Sequence, residues 1–537
     1  MLHDLCFSPL IYYSPVPRSL TTAAVFLLVL AALITPMQRD LFVGDETKYG
    51  QVVREMRATG AFFLPTLNGA PFTHKPPLHF WLIDLLSYPL GVYSTWAFVL
   101  PSLMGLVFLL WLMWRMGGPL AAFICGSSMM VWTSAQSARM DVTFTAFIVL
   151  ALWQLERFFE RDDFRALLWC GIAIGVAILI KGPMAPVIAI VLFGLEWWRR
   201  RRAPRGNYAP ALLAMIAIPL LWFVPAMILG GGAYTHDVIV KQTVGRAIAS
   251  WVHNAPPWFY VAHLPASLFP WFFLACVAVV ALWRTQRYLV NWIIAVIVPY
   301  SIMSSKLDVY MMAMIPPIAL LIARYIAERE ARTESEARTE RESVERRRPA
   351  GWSAAGPAAN LIANALIALI AIALFMNPTR IKGPESALIA LPAVRTLLIV
   401  TAVAAILAFA VTLRASLTTS TIATGLVPIV SMAFIAIALM PVVNDLVSTR
   451  PLVSALQQQQ VPPEQIALYA APYLWTRDFP RQYERVVYAD PDTLTRTKPA
   501  MVVTARAHAN EIASALNGYH VVTSLRMLGK WFDVYRQ

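Results

Sequence analysis

Charge is scarce in this sequence. Asp, Glu, Lys and Arg make up 14% of its 537 residues, against 58% hydrophobic. A soluble chain of this length needs far more charge to cover its surface, so a soluble protein is excluded. Cysteine is scarcer still. Cys6, Cys125, Cys170 and Cys276 are scattered, three of them in apolar runs, and no CxxC occurs. That pattern argues against a disulfide framework or a cysteine zinc site. The apolar runs lack the strict alternation of an outer-membrane barrel. There is no Rossmann or phosphate-loop fingerprint. Internal repeats and the paired broken segments of an inverted-repeat transporter are also missing.

What remains is apolar, with a mean hydropathy of +0.60. Backbone groups in lipid must be satisfied internally, and runs of about 20 apolar residues achieve that as helices. The expected fold class is therefore an all-α polytopic membrane protein of about thirteen spans. They are read at 20–37, 95–114, 119–136, 142–157, 166–181, 183–198, 209–229, 266–283, 288–303, 308–326, 357–376, 393–413 and 423–443. No small-residue cleavage site follows the first run, so it is expected to stay as a span. The net charge of +14 fits cytoplasmic loops rich in Arg and Lys better than a nucleic-acid partner.

Arg199, Arg200, Arg201 and Arg202 close the sixth run and set that loop as cytoplasmic. Parity then puts Arg115, Arg157, Arg161, Arg165, Arg284, Arg287, Arg414 and the charged loop 327–356 inside. The stretch 76–91 would reverse this parity if it spanned. It is short and carries Asp84 mid-run, a cost of about 2.5–3.5 kcal/mol at the bilayer centre. It is expected to lie on the membrane surface. The outer face then holds the first loop, 38–94, and the tail, 447–537. Strand-like runs at 466–470, 485–489, 501–505 and 519–527 predict a small C-terminal α/β extracytoplasmic domain, following a membrane domain of residues 1–446.

Charges at membrane edges are functional-site hypotheses. Asp45, Glu46, Lys75, Arg139, Asp141, Lys181, Lys241, Arg246 and Lys306 all fall on the outer side of this topology. Snorkelling at a helix end explains any one lysine. Several cations gathered with two or three carboxylates suit an anion such as a phosphate, beside a group that needs a base. For Asp45 the ordinary account is an N-cap, with Glu46 complementing the helix dipole. Tyr49, Val52, Val53 and Met56 recur at helical spacing before a stop at Gly60, which predicts an amphipathic helix in the membrane interface. A turn follows at Asn68-Gly69, and Pro76-Pro77 stiffens the chain beside Lys75. His74 and His79 are five apart, not the helical spacing of a metal pair, and His236 and His253 lie in a later outer loop. A metal site is weakly signalled, with His74 and His253 as its candidates. "WVHNAPPWFY" and "LFPWFF" fit an interfacial aromatic belt or packing along a lipid chain.

The stretch "GDETKYGQVVREMRATGAFFLPTLNGAPFTHKPPLHFW" resembles the first outer loop of ArnT-like lipid-linked-sugar glycosyltransferases. These belong to the GT-C superfamily together with the protein O-mannosyltransferases. The similarity continues through "SARMDVTF", "LIKGPMAP", the Arg246 loop, "FPW" and "SSKLDVYMMAMIPPIALL", in order from about residue 40 to 321. The resemblance implies transfer of a sugar, such as an aminoarabinose or a hexose, from a polyprenyl-phosphate carrier to an envelope acceptor such as lipid A, with inversion. It implies Asp45 as general base or acceptor-orienting carboxylate and Asp141 as a second catalytic carboxylate in support. It implies Lys75, Lys181 and Arg246 as the phosphate holders, with Lys306, Glu46, Arg139 and Tyr310 in the substrate-binding set. The family commonly has an acid before the lysine of its KPPL block, and this chain has His74 there. No cofactor is named by the sequence, and a divalent metal stays open. The implied location is the bacterial inner membrane, with the site and tail on the outer face. The alternatives are sugar transfer to protein, an anionic-lipid transporter or flippase, and an assembly factor binding through its tail.

Overall fold

The computed structural model describes residues 18–201, 206–245, 255–342, 354–377, 391–477, 479–527 and 529–537. Arg202, Arg246 and His253 lie outside them. Two compact units emerge. One comprises Met1–Leu33, Thr73–Leu78 and Ser102–Phe434; the other comprises Ile34–Phe72, His79–Pro101 and Ile435–Gln537.

Among the described residues, nine helices are long and apolar enough to cross a membrane. A tenth span results if Phe259–Ser267 and Phe272–Leu282, bent by 111°, form one. Most of the expected runs are helical, but 266–283 is broken between Ser267 and Phe272 and 119–136 is broken at Ser128, whose backbone is extended. The difference in number has a geometric origin. Thr95–Ser127 is one 33-residue helix by hydrogen bonding, but Gly118 turns to φ 76 inside it. Met184–Arg200 and Arg287–Ile302 have 17 and 16 residues, at the lower edge of the about 17–25 that cross a bilayer.

The first unit is helical. Asp141–Arg161 packs against Phe164–Lys181, which packs on Ala209–His236. Helix Thr95–Ser127 meets Asp141–Arg161 at Gly105, where a Cβ would lie 2.4 Å from Thr143 Oγ1 and 2.8 Å from its backbone. Buried amides tie Ala355–Met376 to Leu417–Phe434: Asn360 donates to Ser420 at 2.8 Å and Asn364 to Thr424 at 2.9 Å. Such bonds are the polar glue of helices in an apolar medium. Leu213, Leu221 and Ile228 stand exposed on Ala209–His236, a surface that water would reject and lipid accepts. Arg199 and Arg200, read above as topology anchors, also pair with the buried carboxylate of Glu196.

The second unit has its own core. Helix Asp45–Thr59 ends at Gly60, whose φ of 71 closes it as expected. Its apolar stripe was expected in the membrane interface; instead Tyr49, Val52, Val53 and Met56 are buried inside the unit. Tyr49 sits 5.3 Å from Phe80 of helix Leu78–Leu90, edge to face. Asp84, the acid that argued against a span, accepts from Arg57 Nε at 3.2 Å. Strands β1 (Thr66–Leu67) and β2 (Ala70–Pro71) pair around Asn68-Gly69, both with positive φ. Glu55 clasps that turn, accepting from Asn68 N at 2.7 Å and Gly69 N at 3.1 Å.

The tail forms one five-stranded sheet from β3 (Ile466–Tyr469), β4 (Val487–Tyr488), β5 (Met501–Ala505), β6 (His520–Met527) and β7 (Lys530–Arg536), ordered β4-β3-β5-β7-β6. The first three are parallel and the last two join antiparallel. Leu452, Leu456, Leu468, Met501, Val503 and Val534 build the core on one face.

Candidate active site

In the first unit, Asp141 begins helix Asp141–Arg161 and Lys181 ends helix Phe164–Lys181. A tight reversal at Asp162 and Asp163 makes these helices antiparallel neighbours, so residues 40 apart in sequence meet. Each charge suits its helix end, an acid at an N-terminus and a base at a C-terminus. Lys181 donates to Asp141 Oδ1, and Arg139 Nε donates to Oδ2 at 3.1 Å. The Asp141 and Lys181 side chains are 5% and 9% exposed, so the pair is shielded from water; Arg139, at 36%, reaches outward. Lys181 Nζ also lies 4.7 Å from the Tyr310 ring centre and 5.4 Å from that of Phe144. Tyr310 stacks on Tyr300 at 5.1 Å. Lys75 stands within electrostatic reach of Asp141.

Three cations thus gather about one carboxylate among the described residues. Lys306 is buried and donates to the Met303 carbonyl. Burial pulls its ammonium below the ordinary lysine range, because removing a charge from water favours the neutral amine.

The two acids that open the first-loop helix belong to the second unit and differ sharply. Asp45 is the first helical residue, not the cap. Gly44 takes the cap position with φ 118, a conformation that L side chains rarely adopt. The Asp45 side chain is 48% exposed and 3.5 Å from Lys48. Glu46 is buried. It pairs with the buried guanidinium of Arg39 and accepts from Phe42 N at 2.7 Å. Arg39 also faces the Phe42 ring at 4.0 Å. Glu46 thus ties the segment before the helix to the helix's first turn.

No three His, Cys, Asp or Glu side chains converge as metal ligands among the described residues. His74 and Lys75 belong to the first unit, whereas His79 is buried in the second beside Tyr49 and Phe80. Both oxygens of Asp141 are engaged by Lys181 and Arg139, and of the two expected metal candidates His74 lies among the described residues and His253 outside them.

Residues 74–223 match the family described as dolichyl-phosphate-mannose-protein mannosyltransferase. The undecaprenyl phosphate-alpha-4-amino-4-deoxy-L-arabinose arabinosyl transferase 1 of Sodalis glossinidius is 27% identical over 318 residues, 55% of this chain and 57% of the relative. The corresponding transferase of Edwardsiella ictaluri is 27% identical over 322 residues, 56% of this chain and 58% of the relative. The chain thus spans a little over half the length of the curated relatives it matches. The crystal structure of ArnT from Cupriavidus metallidurans bound to undecaprenyl phosphate superposes with a TM-score of 0.70. That match covers 97% of this chain and 98% of ArnT at 17% identity. This chain has the fold of ArnT.

Within the ArnT-like frame, some supports of the cation cluster were not picked out from the sequence. Ser102 donates to the Arg139 carbonyl at 2.6 Å and fixes the turn before Asp141. Phe144, one helical turn after Asp141, supplies a ring near Lys181. Gly105 lets the neighbouring helix approach that same turn. A glycine opposite an N-terminal "DVTF" was the available signal.

Proposed function

We propose that this chain transfers a sugar from a polyprenyl-phosphate carrier to an envelope acceptor such as lipid A, at the outer face of a bacterial inner membrane. The carrying observation is the buried Asp141–Lys181 pair with Arg139, Tyr310 and Lys75 around it. Breaking the bond between sugar and phosphate leaves negative charge on the carrier, and cations already fixed in place stabilise that charge as it develops. Asp141 holds Lys181 and Arg139 in position from one carboxylate. Lys75, Lys181, Arg139, Arg246 and Lys306 are assigned to the carrier phosphate, and Tyr310 to alignment of Lys181. Asp45, solvent-facing and lightly paired, is assigned the acceptor proton, as an inverting single displacement requires. Similarity to arabinosyl transferases supports an aminoarabinose as the sugar.

The match of residues 74–223 to protein mannosyltransferases favours one second reading, a hexose moved to protein. Both readings are tested with purified protein, a panel of polyprenyl-phosphate sugars, and lipid or protein acceptors. Loss of sugar from one donor, matched by gain on one acceptor, is the expected result and selects between them. No transfer from any donor, together with facilitated lipid movement across vesicles, overturns both in favour of a transporter.

A further inference from the structure

The second unit contains a cavity of about 340 Å³ lined by Pro36, residues 90–96, Arg477 and Arg481. None of its lining residues belongs to the proposed transfer site. Its walls are of two kinds. Arg477 and Arg481 are exposed cations. Leu90, Val92, Tyr93 and Trp96 give an apolar and aromatic rim. Tyr93 is held in place by Arg54 at 3.1 Å and by stacking on Phe479 at 4.9 Å. Arg477 donates to the Met37 carbonyl, while its backbone N–H donates to Asp40 at 3.0 Å. Asp40 also takes both Nε and Nη2 of Arg450, at 3.0 and 3.1 Å. The strand-to-helix turn that carries Arg477 is thereby fixed rather than loose.

The position in the sequence matters as much as the chemistry. Pro36 closes the spanning-length helix Ser19–Met37, and Thr95 and Trp96 open the spanning-length helix Thr95–Ser127. Spanning helices end where hydrocarbon gives way to headgroups, so a cavity lined by the last turn of one such helix and the first turn of another suits a ligand held at headgroup level. Met37, Tyr88 and Leu90 beside it are exposed. Two guanidiniums recognise phosphate oxygens bidentately, and amphipathic Tyr and Trp rings settle where acyl chain meets headgroup.

We infer that this cavity is a binding site for the phosphodiester headgroup of an anionic phospholipid, which docks against the unit. This inference does not depend on the sugar-transfer reading. The test is titration of the full-length protein in detergent with phosphatidylglycerol and with phosphatidylcholine, bound lipid being counted by native mass spectrometry. Wild type should favour phosphatidylglycerol. Arg481→Gln should weaken that binding about tenfold, the loss expected for one charge-assisted contact. Arg481→Lys should recover part of it. Because Arg481 lies on the surface, its variants should fold; Trp96→Ala, also partly exposed, provides a second lesion at the apolar rim and should weaken the same lipid. Unchanged phosphatidylglycerol binding in Arg481→Gln and Trp96→Ala overturns the inference. Equal displacement by soluble glycerol phosphate also overturns it, since that result marks a free-phosphate site rather than a lipid one.

Discussion

Asp45 and Glu46 are adjacent in sequence and should fail in opposite ways when each loses its charge. Glu46→Gln keeps shape and the ability to accept from Phe42 N, so the lesion is the charge alone. Its partner Arg39 has a side chain 1% exposed, and Glu46 is 7% exposed. Removing one member of a buried ion pair leaves a desolvated charge and costs about 3–5 kcal/mol. Asp45→Asn removes an exposed pair with Lys48, worth about 0–1 kcal/mol, and a first-turn acid, worth about 0.3–1 kcal/mol. Thermal unfolding of the purified proteins, followed by size-exclusion fluorescence, reads the difference. Glu46→Gln should lower the midpoint by several degrees or reduce the folded yield. Asp45→Asn should unfold close to wild type while sugar transfer drops about 10²-fold or more, the scale of acid–base roles. A Glu46→Gln protein as stable as wild type refutes the assignment of Glu46 to structure. A folded Asp45→Asn protein with full activity refutes the assignment of Asp45 to proton transfer.

The Asp141–Lys181 pair separates stability from function in another way. Lys181→Met alone should cost about 3–5 kcal/mol, whereas Asp141→Leu with Lys181→Met should recover folded yield because both buried charges are gone. Transfer should stay lost in the double variant, and restored transfer would make the pair purely structural. Gly105→Ala should destabilise by about 1–3 kcal/mol and depress transfer, since the new Cβ meets Thr143 backbone at 2.8 Å; an unaffected variant would show that the helices separate freely there. For Lys306, burial disfavours the ammonium. As pH rises through its depressed folded value the fold is relieved and gains stability, while the cation assigned to the carrier phosphate is lost. Transfer should therefore decline on the alkaline side below the ordinary lysine range, and Lys306→Arg should move that decline upward; an identical pH profile in Lys306→Arg contradicts the role.

The sequence carried the local structure well, because local rules decide it. Apolar runs became helices, Gly60 ended the first-loop helix, and Asn68-Gly69 made the turn. The runs at 466–470 and 501–505 became β3 and β5. Strand β7 was not picked out. Lys530, Trp531 and Asp533 interrupt its apolar alternation, and its partner β6 sits only across a glycine turn at Gly529. The charged groups were located but their partners were not. Asp84 with Arg57, Glu46 with Arg39 and Asp141 with Lys181 are pairings set by packing of distant segments. Nothing in the spacing of Asp45 and Glu46 shows that one is exposed and the other buried. Gly44 takes the cap position expected for Asp45, and Glu46 is buried against Arg39.

The central claim is that cations around Asp141 hold the phosphate of a polyprenyl carrier. The direct measurement is binding of polyprenyl phosphate and of the matching polyprenol to the same preparation, in wild type and in Lys181→Met that elutes as a folded monodisperse species. Wild type should prefer the phosphate by about tenfold or more, and Lys181→Met should lose most of that preference while still binding the alcohol. Equal binding of phosphate and alcohol by wild type, or an intact preference in Lys181→Met, would contradict the account.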